Sequence, residues 1–97
     1  LLWMAAVKGH GVAQVAIGEL MTRPENGSQD NLRGLMWLYL AMEQNADSAQ
    51  DIFNAAIDGR HLEDMVLVKT LAQACKERGE CGNPTWAWEY GYQEASL

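Results

Sequence analysis

An internal repeat with an offset of 36 residues constrains the fold of this 97-residue chain more than any other feature. Residues 1–21 align without a gap on residues 37–57, and most matches are of side-chain size or polarity. The identical pairs are Leu2 with Leu38, Ala5 with Ala41, Ala13 with Ala49, and Gln14 with Gln50. Self-similarity at a period of about 20–50 residues is typical of arrays of one supersecondary unit. The chain is therefore expected to repeat a single helical hairpin.

The local pattern of each copy is an apolar helix, a short polar break and a second helix. Gly9 in the first copy and Asn45 in the second stand where a helix would end in a left-handed residue. A loop at 22–30 separates the copies, and a long helix reaching Gln44 follows it. Because apolar residues nearly encircle this helix, we expect it to be buried on more than one side.

After the second copy the 36-residue frame breaks. A helical apolar period continues over Leu62–Arg78 and predicts one further helix, which Gly79 stops. The residues beyond it alternate Trp86, Trp88, Tyr90 and Tyr92, a spacing that suits an extended segment. Asn83-Pro84 is instead a helix-start signal, so a short terminal helix and an irregular packed tail both stay open.

The stretch 27–50 resembles the SEL-one-like repeat (SLR), a relative of the tetratricopeptide repeat. In that likeness Trp37-Leu38 corresponds to the family's aromatic pair, Ala41-Met42 to its small pair before the break, Ala49-Gln50 to its Ala-Gln after the break, and Gln29-Asp30 to its loop motif. Gly34 departs from the family's usual alanine, at about 1 kcal/mol of helix propensity, and Met42 is bulky where the family is small. The resemblance covers about two-thirds of the chain.

The resemblance implies an all-α fold, an α/α superhelix of about two repeats plus a C-terminal helix and tail. One domain would hold repeat copies at about 1–36 and 37–58, a degenerate capping repeat at 59–78 and an aromatic tail at 79–97. It also implies an adaptor function: a protein–protein interaction module that holds a partner peptide or helix in a concave groove, without catalysis.

A candidate groove follows from the likeness, because the first helix of each pair lines the concave side in similar repeats. The candidate contact residues lie at equivalent repeat positions or on one helical face: Trp3, Met4, Met36, Tyr39, Leu40 and Glu43. The alternative is that the C-terminal tail, or plain core packing, buries this face. Alanine at Tyr39 and Leu40 separates the two, since contact residues would weaken partner capture and core residues would cost helicity.

Two cysteines, Cys75 and Cys81, lack the Cys-x-x-Cys spacing of zinc knuckles and redox motifs. Gly79 between them permits a sharp chain reversal, so a disulfide could close the loop and add about 2–3 kcal/mol of stability. A buried thiol at Cys75 with a free thiol at Cys81 is the other possibility. A bond would indicate a periplasmic or secreted protein, and free thiols a cytoplasmic one.

Charge and motif content exclude several functions. The net charge of −6 argues against nucleic-acid and anionic-membrane binding, and no apolar run reaches the length of a membrane span. His10 and His61 each stand at a helix start without converging ligands, so no metal is expected. No nucleophile motif or phosphate-binding loop appears, and we expect neither catalysis nor a cofactor.

A second function, of another class, stays open beside the adaptor. The chain is apolar from Leu1 onward, which we interpret as the middle of a longer repeat protein. Trp3 and Met4 would then lie near an uncovered repeat end, where homo-oligomers could form. The alternative is therefore an exported structural fragment, capped by a disulfide, that self-associates or packs on the rest of a longer repeat protein.

Overall fold

The computed structural model describes residues 2–57, 62–79 and 81. Within them the chain forms five α-helices, one 3₁₀ turn at Pro24–Asn26 and no strand, which confirms the all-α class. The helices are α1 (Leu2–Val7), α2 (Gly11–Met21), α3 (Gly27–Glu43), α4 (Ala49–Ile57) and α5 (Leu62–Arg78). The bounds of α5 are those that the apolar period predicted. His61, Gly82 and the rest of the aromatic tail from residue 82 onward lie outside the described residues.

The break between α1 and α2 is a tight turn at Gly9. Gly9 has a φ of 95°, in the left-handed region that a residue without Cβ adopts freely. Its backbone N–H donates to the carbonyl of Ala6 at 3.0 Å, and the N–H of His10 donates to the carbonyl of Ala5 at 3.1 Å. These two bonds satisfy carbonyls that the end of α1 would otherwise leave unpaired.

The break between α3 and α4 repeats this geometry 36 residues later. Asn45 has a φ of 57° and donates to the carbonyl of Met42 at 2.9 Å, and Ala46 donates to Ala41 at 3.0 Å. The last residues of α1 and α3 are separated by the same offset, as are those of α2 and α4. The second break differs in one respect: Ser48 also has a positive φ, of 69°, and α4 begins two positions later than the frame predicts.

The contact between α2 and α3 depends on two glycines. A Cβ built on Gly18 would stand 2.5 Å from Cγ of Leu38 and 3.1 Å from the carbonyl oxygen of Gly34. A Cβ on Gly34 would stand 2.9 Å from Cβ of Met21 and 3.0 Å from the carbonyl oxygen of Gly18. The two backbones thus approach more closely than any side chain would permit, which explains why glycine stands at both positions.

Gly34→Ala is expected to lower the free energy of unfolding by about 1–3 kcal/mol, because the added methyl group overpacks the contact with α2. Helix propensity alone predicts the opposite sign, a gain of about 1 kcal/mol. Urea denaturation followed by circular dichroism measures the difference. Gln29→Ala, at an exposed position of the same helix, is the matched control and should change stability little. A stabilised Gly34→Ala variant would contradict the close contact.

Helix α3 is the centre of the fold, because α2, α4 and α5 all pack against it. Its buried residues are Asp30, Gly34, Leu35, Met36, Trp37, Leu38, Leu40 and Ala41. The prediction that this helix is buried on more than one side is therefore confirmed. One apolar cluster joins α3 to α1, α2 and the end of α5, and a second joins α3 to α4 and the start of α5. No helix in the described part of the chain is long and apolar enough to cross a membrane.

Candidate ligand pocket beside the disulfide

The structure places the predicted contact residues in three environments. Three are buried in the first apolar cluster, with exposed fractions of 5 % for Trp3, 1 % for Met36 and 5 % for Leu40. Met4 and Tyr39 are half-buried, and Glu43 is exposed. Tyr39 packs on Phe53 of α4 at a ring distance of 6.3 Å.

The burial of Met36 and Leu40 has a simple cause, because α5 packs against α3. Ala72 and Cys75 of α5 belong to the same apolar cluster as these two residues. Trp3, Met36 and Leu40 are therefore part of the core between the helices. The resemblance to helical repeats had led us to expect them on an open groove. A pocket in the described part of the chain adjoins this cluster.

The pocket has a volume of about 400 Å³ and lies where the ends of α1, α3 and α5 meet the start of α2. It is lined by Ala6, Val7, Gly9, Gln14, Trp37, Leu40, Glu43, Gln44, Cys75 and Lys76. Ligand pockets in proteins commonly measure about 300–1,000 Å³ and combine apolar walls with a few polar groups. This pocket has both properties, which makes it the candidate functional site.

Gln14 connects the pocket to the first break. Its buried side chain donates through Nε2 to the carbonyl oxygen of Ala6 at 3.2 Å. Its Oε1 accepts a hydrogen bond from Nε2 of Gln44 at 2.8 Å, across 30 positions of sequence. The amide of Gln14 thus ties the end of α1 to the C-terminal end of α3, and this wall of the pocket is held by hydrogen bonds as well as by packing.

Trp37 is fully buried and contributes the largest side chain to the pocket lining. Its ring meets that of Trp3 edge to face, with centroids 5.3 Å apart and an interplanar angle of 76°. The indole Nε1 of Trp37 is buried and has no hydrogen-bond acceptor among the residues that the structure describes. Buried polar groups are nearly always hydrogen-bonded, so a buried indole nitrogen without an acceptor is unusual.

An ion pair between α3 and α5 supplies the charge in the pocket lining. Nζ of Lys76 lies 3.1 Å from Oε1 of Glu43 and 3.4 Å from its Oε2. The two side chains are 48 % and 39 % exposed, so water screens the attraction and the pair adds little to stability. Both groups are therefore available to exchange partners with a charged ligand.

The disulfide Cys75–Cys81 lies beside the pocket. Its sulfur atoms are 1.96 Å apart and its Cα atoms 4.5 Å apart. Gly79, with a φ of 71°, makes the chain reversal that returns Cys81 to the end of α5. Both cysteines are buried and belong to the cluster that contains Trp37 and Leu40. The bond fixes the chain at residue 81 against this cluster.

Reduction of the disulfide is expected to lower the free energy of unfolding by about 2 kcal/mol, because cleavage restores conformational freedom to the unfolded chain. Thermal and urea denaturation with and without a phosphine reductant measure the change. The double variant Cys75→Ala with Cys81→Ala serves as control, since its stability should not respond to the reductant. An equal response in both proteins would contradict the assignment.

Metal binding finds no support in the described residues, where no group of three or more His, Cys, Asp and Glu side chains lies together. His10 is exposed at the start of α2, and its side chain makes no capping hydrogen bond there. The other histidine lies outside the residues that the structure describes. The lining of the described pocket therefore combines apolar side chains with two glutamines and one exposed ion pair.

Several lining residues were not candidates on the sequence. Gln14 could have been one, because it belongs to the Ala-Gln pair that recurs after each break. Trp37 belongs to the stretch that resembles the SLR, and nothing in that resemblance marks it as a pocket residue. Nothing in the sequence predicts that Lys76 lies beside Glu43, since the two residues are 33 positions apart.

Comparison of the chain with protein-family models, with curated proteins and with solved structures finds no match. The helix packing and the chemistry of the pocket are therefore the basis of the proposed function.

Proposed function

We propose that this chain is a protein–protein interaction module, an adaptor that holds a segment of a partner protein and performs no chemistry of its own. The observation that carries the proposal is the recurrence of one tight break, at Gly9 and again at Asn45, with the same pair of backbone hydrogen bonds. Repetition of one hairpin favours an α/α superhelix similar to the SLR family, in which each hairpin packs on the next. Such arrays act through the surfaces that they present to partners.

We propose the pocket as the point of contact, in place of the concave groove expected from the resemblance. Leu40 and Glu43 line it, so two of the six residues expected to contact a partner contribute to it directly. Half-buried Met4 and Tyr39 keep part of their surface available for contact outside the pocket. We propose that one partner side chain enters the pocket as an anchor, since buried anchors carry most of the binding energy of an interface.

A display library of random peptides, selected on the intact protein, tests this function. Peptides that bind the pocket should lose binding to Gln44→Trp, because Gln44 lines the pocket and is exposed, so an indole there would obstruct it. Gln29→Trp is the matched control, since it adds the same indole at an exposed position of α3 that does not line the pocket. Selection of no peptide, or of peptides that bind both variants equally, would argue against the adaptor function.

The alternative, an exported structural fragment that self-associates, is favoured by the disulfide and by exposed apolar side chains. Disulfides persist in oxidising compartments such as the periplasm and the exterior. Val12, Val66 and Leu67 are 81 %, 67 % and 44 % exposed. Sedimentation at micromolar concentrations, together with an intact mass two hydrogens below that of the reduced chain, would support this function. A monomer at all concentrations favours the adaptor.

A further inference from the structure

We propose that Asn26 is a site of spontaneous deamidation, which the fold restrains and which opening of the loop between α2 and α3 permits. The loop contains Asn26-Gly27, and Asn26 is the only asparagine of the chain that is followed by glycine. Asparagine is chemically labile, and a following glycine, which has no Cβ, leaves its backbone nitrogen open to approach. The modification needs only water as co-reactant, so it is independent of the proposed adaptor function.

The reaction proceeds through a five-membered succinimide ring. The backbone nitrogen of Gly27 attacks Cγ of Asn26, a bond forms between these two atoms, and the bond from Cγ to Nδ2 breaks. Ammonia leaves with the proton that the Gly27 nitrogen gives up. Water then adds to one of the ring carbonyls and opens the ring. Addition at Cγ gives aspartate, whereas addition at the backbone carbonyl carbon gives isoaspartate, which lengthens the backbone by a methylene group.

The loop lies at the surface, where water reaches it. Glu25 and Gly27, on either side of Asn26, are exposed, and Asn26 itself is half-buried. Neither apolar cluster in the described part of the chain includes a residue between 22 and 29. The loop can therefore open without exposing the core, and segments of this kind open at a lower free energy than the whole protein unfolds.

The native geometry of the loop opposes the reaction. Asn26 has a ψ of −10°, so its own backbone nitrogen nearly eclipses the nitrogen of Gly27. Ring closure requires Cβ in that eclipsed position instead, and the native ψ rotates Cβ away from it. The Gly27 N–H donates to the carbonyl oxygen of Pro24, and Nδ2 of Asn26 donates to the carbonyl oxygen of Leu20. Because reacting atoms must be close and aligned, the loop has to open before the ring can form.

Asn31 holds the loop closed from the side of α3. Its Nδ2 donates to the carbonyl oxygen of Met21 at 2.8 Å and to that of Arg23 at 2.9 Å. These bonds join α3 to the end of α2 and to the residue that precedes the 3₁₀ turn. Their loss would free the chain on the N-terminal side of Asn26, so Asn31 controls how often Asn26 reaches the reactive geometry.

Deamidation removes one of the restraints that slow it. Either product has a carboxylate in place of the amide, so no side-chain N–H remains to donate to Leu20. For aspartate, attraction between the carboxylate and the N-terminus of α3 offsets part of this loss. Isoaspartate also lengthens the backbone directly before α3. The melting temperature of the isoaspartate chain should therefore fall by about 2–8 °C, the shift that corresponds to one lost hydrogen bond in a domain of this size.

Incubation of the full chain at neutral pH and physiological temperature tests the site. Peptide mass spectrometry with electron-transfer fragmentation measures conversion at each asparagine and distinguishes isoaspartate from aspartate. Product should accumulate at Asn26 before any other asparagine, and at least about tenfold more slowly than in the same chain unfolded in guanidinium chloride. An Asn26 that stays intact in the folded chain while the unfolded chain reacts to completion would overturn the proposal. Equal rates in the two states would overturn the restraint by the fold.

Variants of Asn31 test how the loop is held. Asn31→Ala should accelerate the reaction of folded Asn26 about three- to thirtyfold, because two hydrogen bonds are lost, and leave the rate in guanidinium chloride unchanged. Gln29→Ala, at an exposed position of the same helix, is the matched control and should leave both rates unchanged. Asn31→Asp, which keeps the shape of the side chain without its donor, takes the place of the alanine variant if circular dichroism shows that the latter has lost its helices.

Two results would contradict the role of the loop. An unchanged rate in a folded Asn31 variant would mean that these hydrogen bonds do not control opening. An isoaspartate chain, separated by ion-exchange chromatography, that melts at the temperature of the parent would mean that the bond from Asn26 to Leu20 does not hold the loop.

Discussion

Leu40→Ala is expected to lower the free energy of unfolding by about 2–5 kcal/mol, the range for truncating a buried leucine. The likeness to helical repeats placed Leu40 on a partner-binding surface, where truncation would change stability little. In the structure it is 5 % exposed and belongs to the cluster that contains Trp3, Met36 and Cys75. Its removal leaves a cavity between α3 and α5, because neither helix can close the gap freely. Urea denaturation followed by far-ultraviolet circular dichroism measures the loss.

Tyr39→Ala is the comparison that makes this result informative. Tyr39 adjoins Leu40 on the same helix but is half-buried, and its ring is tilted against that of Phe53. Loss of this contact and of part of the buried area should cost about 1–2 kcal/mol, less than at Leu40. A Leu40→Ala variant as stable as the parent would put this side chain on the surface and restore the open groove. A large loss at Leu40 with a small one at Tyr39 supports the packing of α5 on α3.

Helix ends were the most predictable part of the fold, because they depend on local chemistry. Gly9 and Asn45 are residue types that tolerate a left-handed φ, and both adopt one. Ser48 also adopts a positive φ. A serine does not predict a left-handed residue, since it is also common at helix N-caps. The later start of α4 therefore could not be predicted from the repeat frame.

The partner of each helix was less predictable than its position. The apolar face of α3 indicates that something covers Met36 and Leu40, but periodicity does not say what. Core packing and the C-terminal tail were both open, and the described structure covers this face with Ala72 and Cys75 of α5. Such a choice depends on contacts between residues far apart in sequence. Gly34 shows the same limit. The sequence gives the cost of glycine in helix propensity, whereas only the structure shows that a larger residue would clash with α2.

The pocket could not be predicted from residue spacing. Gln14, Trp37 and Lys76 come from three different helices, and nothing in their local sequence brings them together. A candidate groove could be proposed because corresponding positions of successive repeats lie on the same side of an array. The unpaired indole nitrogen appears only when the surroundings of Trp37 are known. The candidate site therefore depends on tertiary packing more than on any motif.

Trp37→Ala is expected to have the largest effect of any single substitution, a loss of about 3–5 kcal/mol in the free energy of unfolding. Trp37 has the largest volume among the fully buried side chains, and its ring packs edge to face on Trp3 of α1. Since domains of this size are commonly stable by about 5–15 kcal/mol, the variant would lose a large part of its stability. Differential scanning calorimetry and urea denaturation measure the loss.

Trp37→Phe separates the two roles of this side chain. It keeps an aromatic ring in the core and removes the indole N–H, which has no acceptor among the described residues. Removing a buried, unpaired donor costs no hydrogen bond, so the loss should come from volume alone and stay near 1–2 kcal/mol by analogy with other large-to-small substitutions, about half that of alanine. A loss as large as that of Trp37→Ala would mean that the indole N–H is hydrogen-bonded in solution.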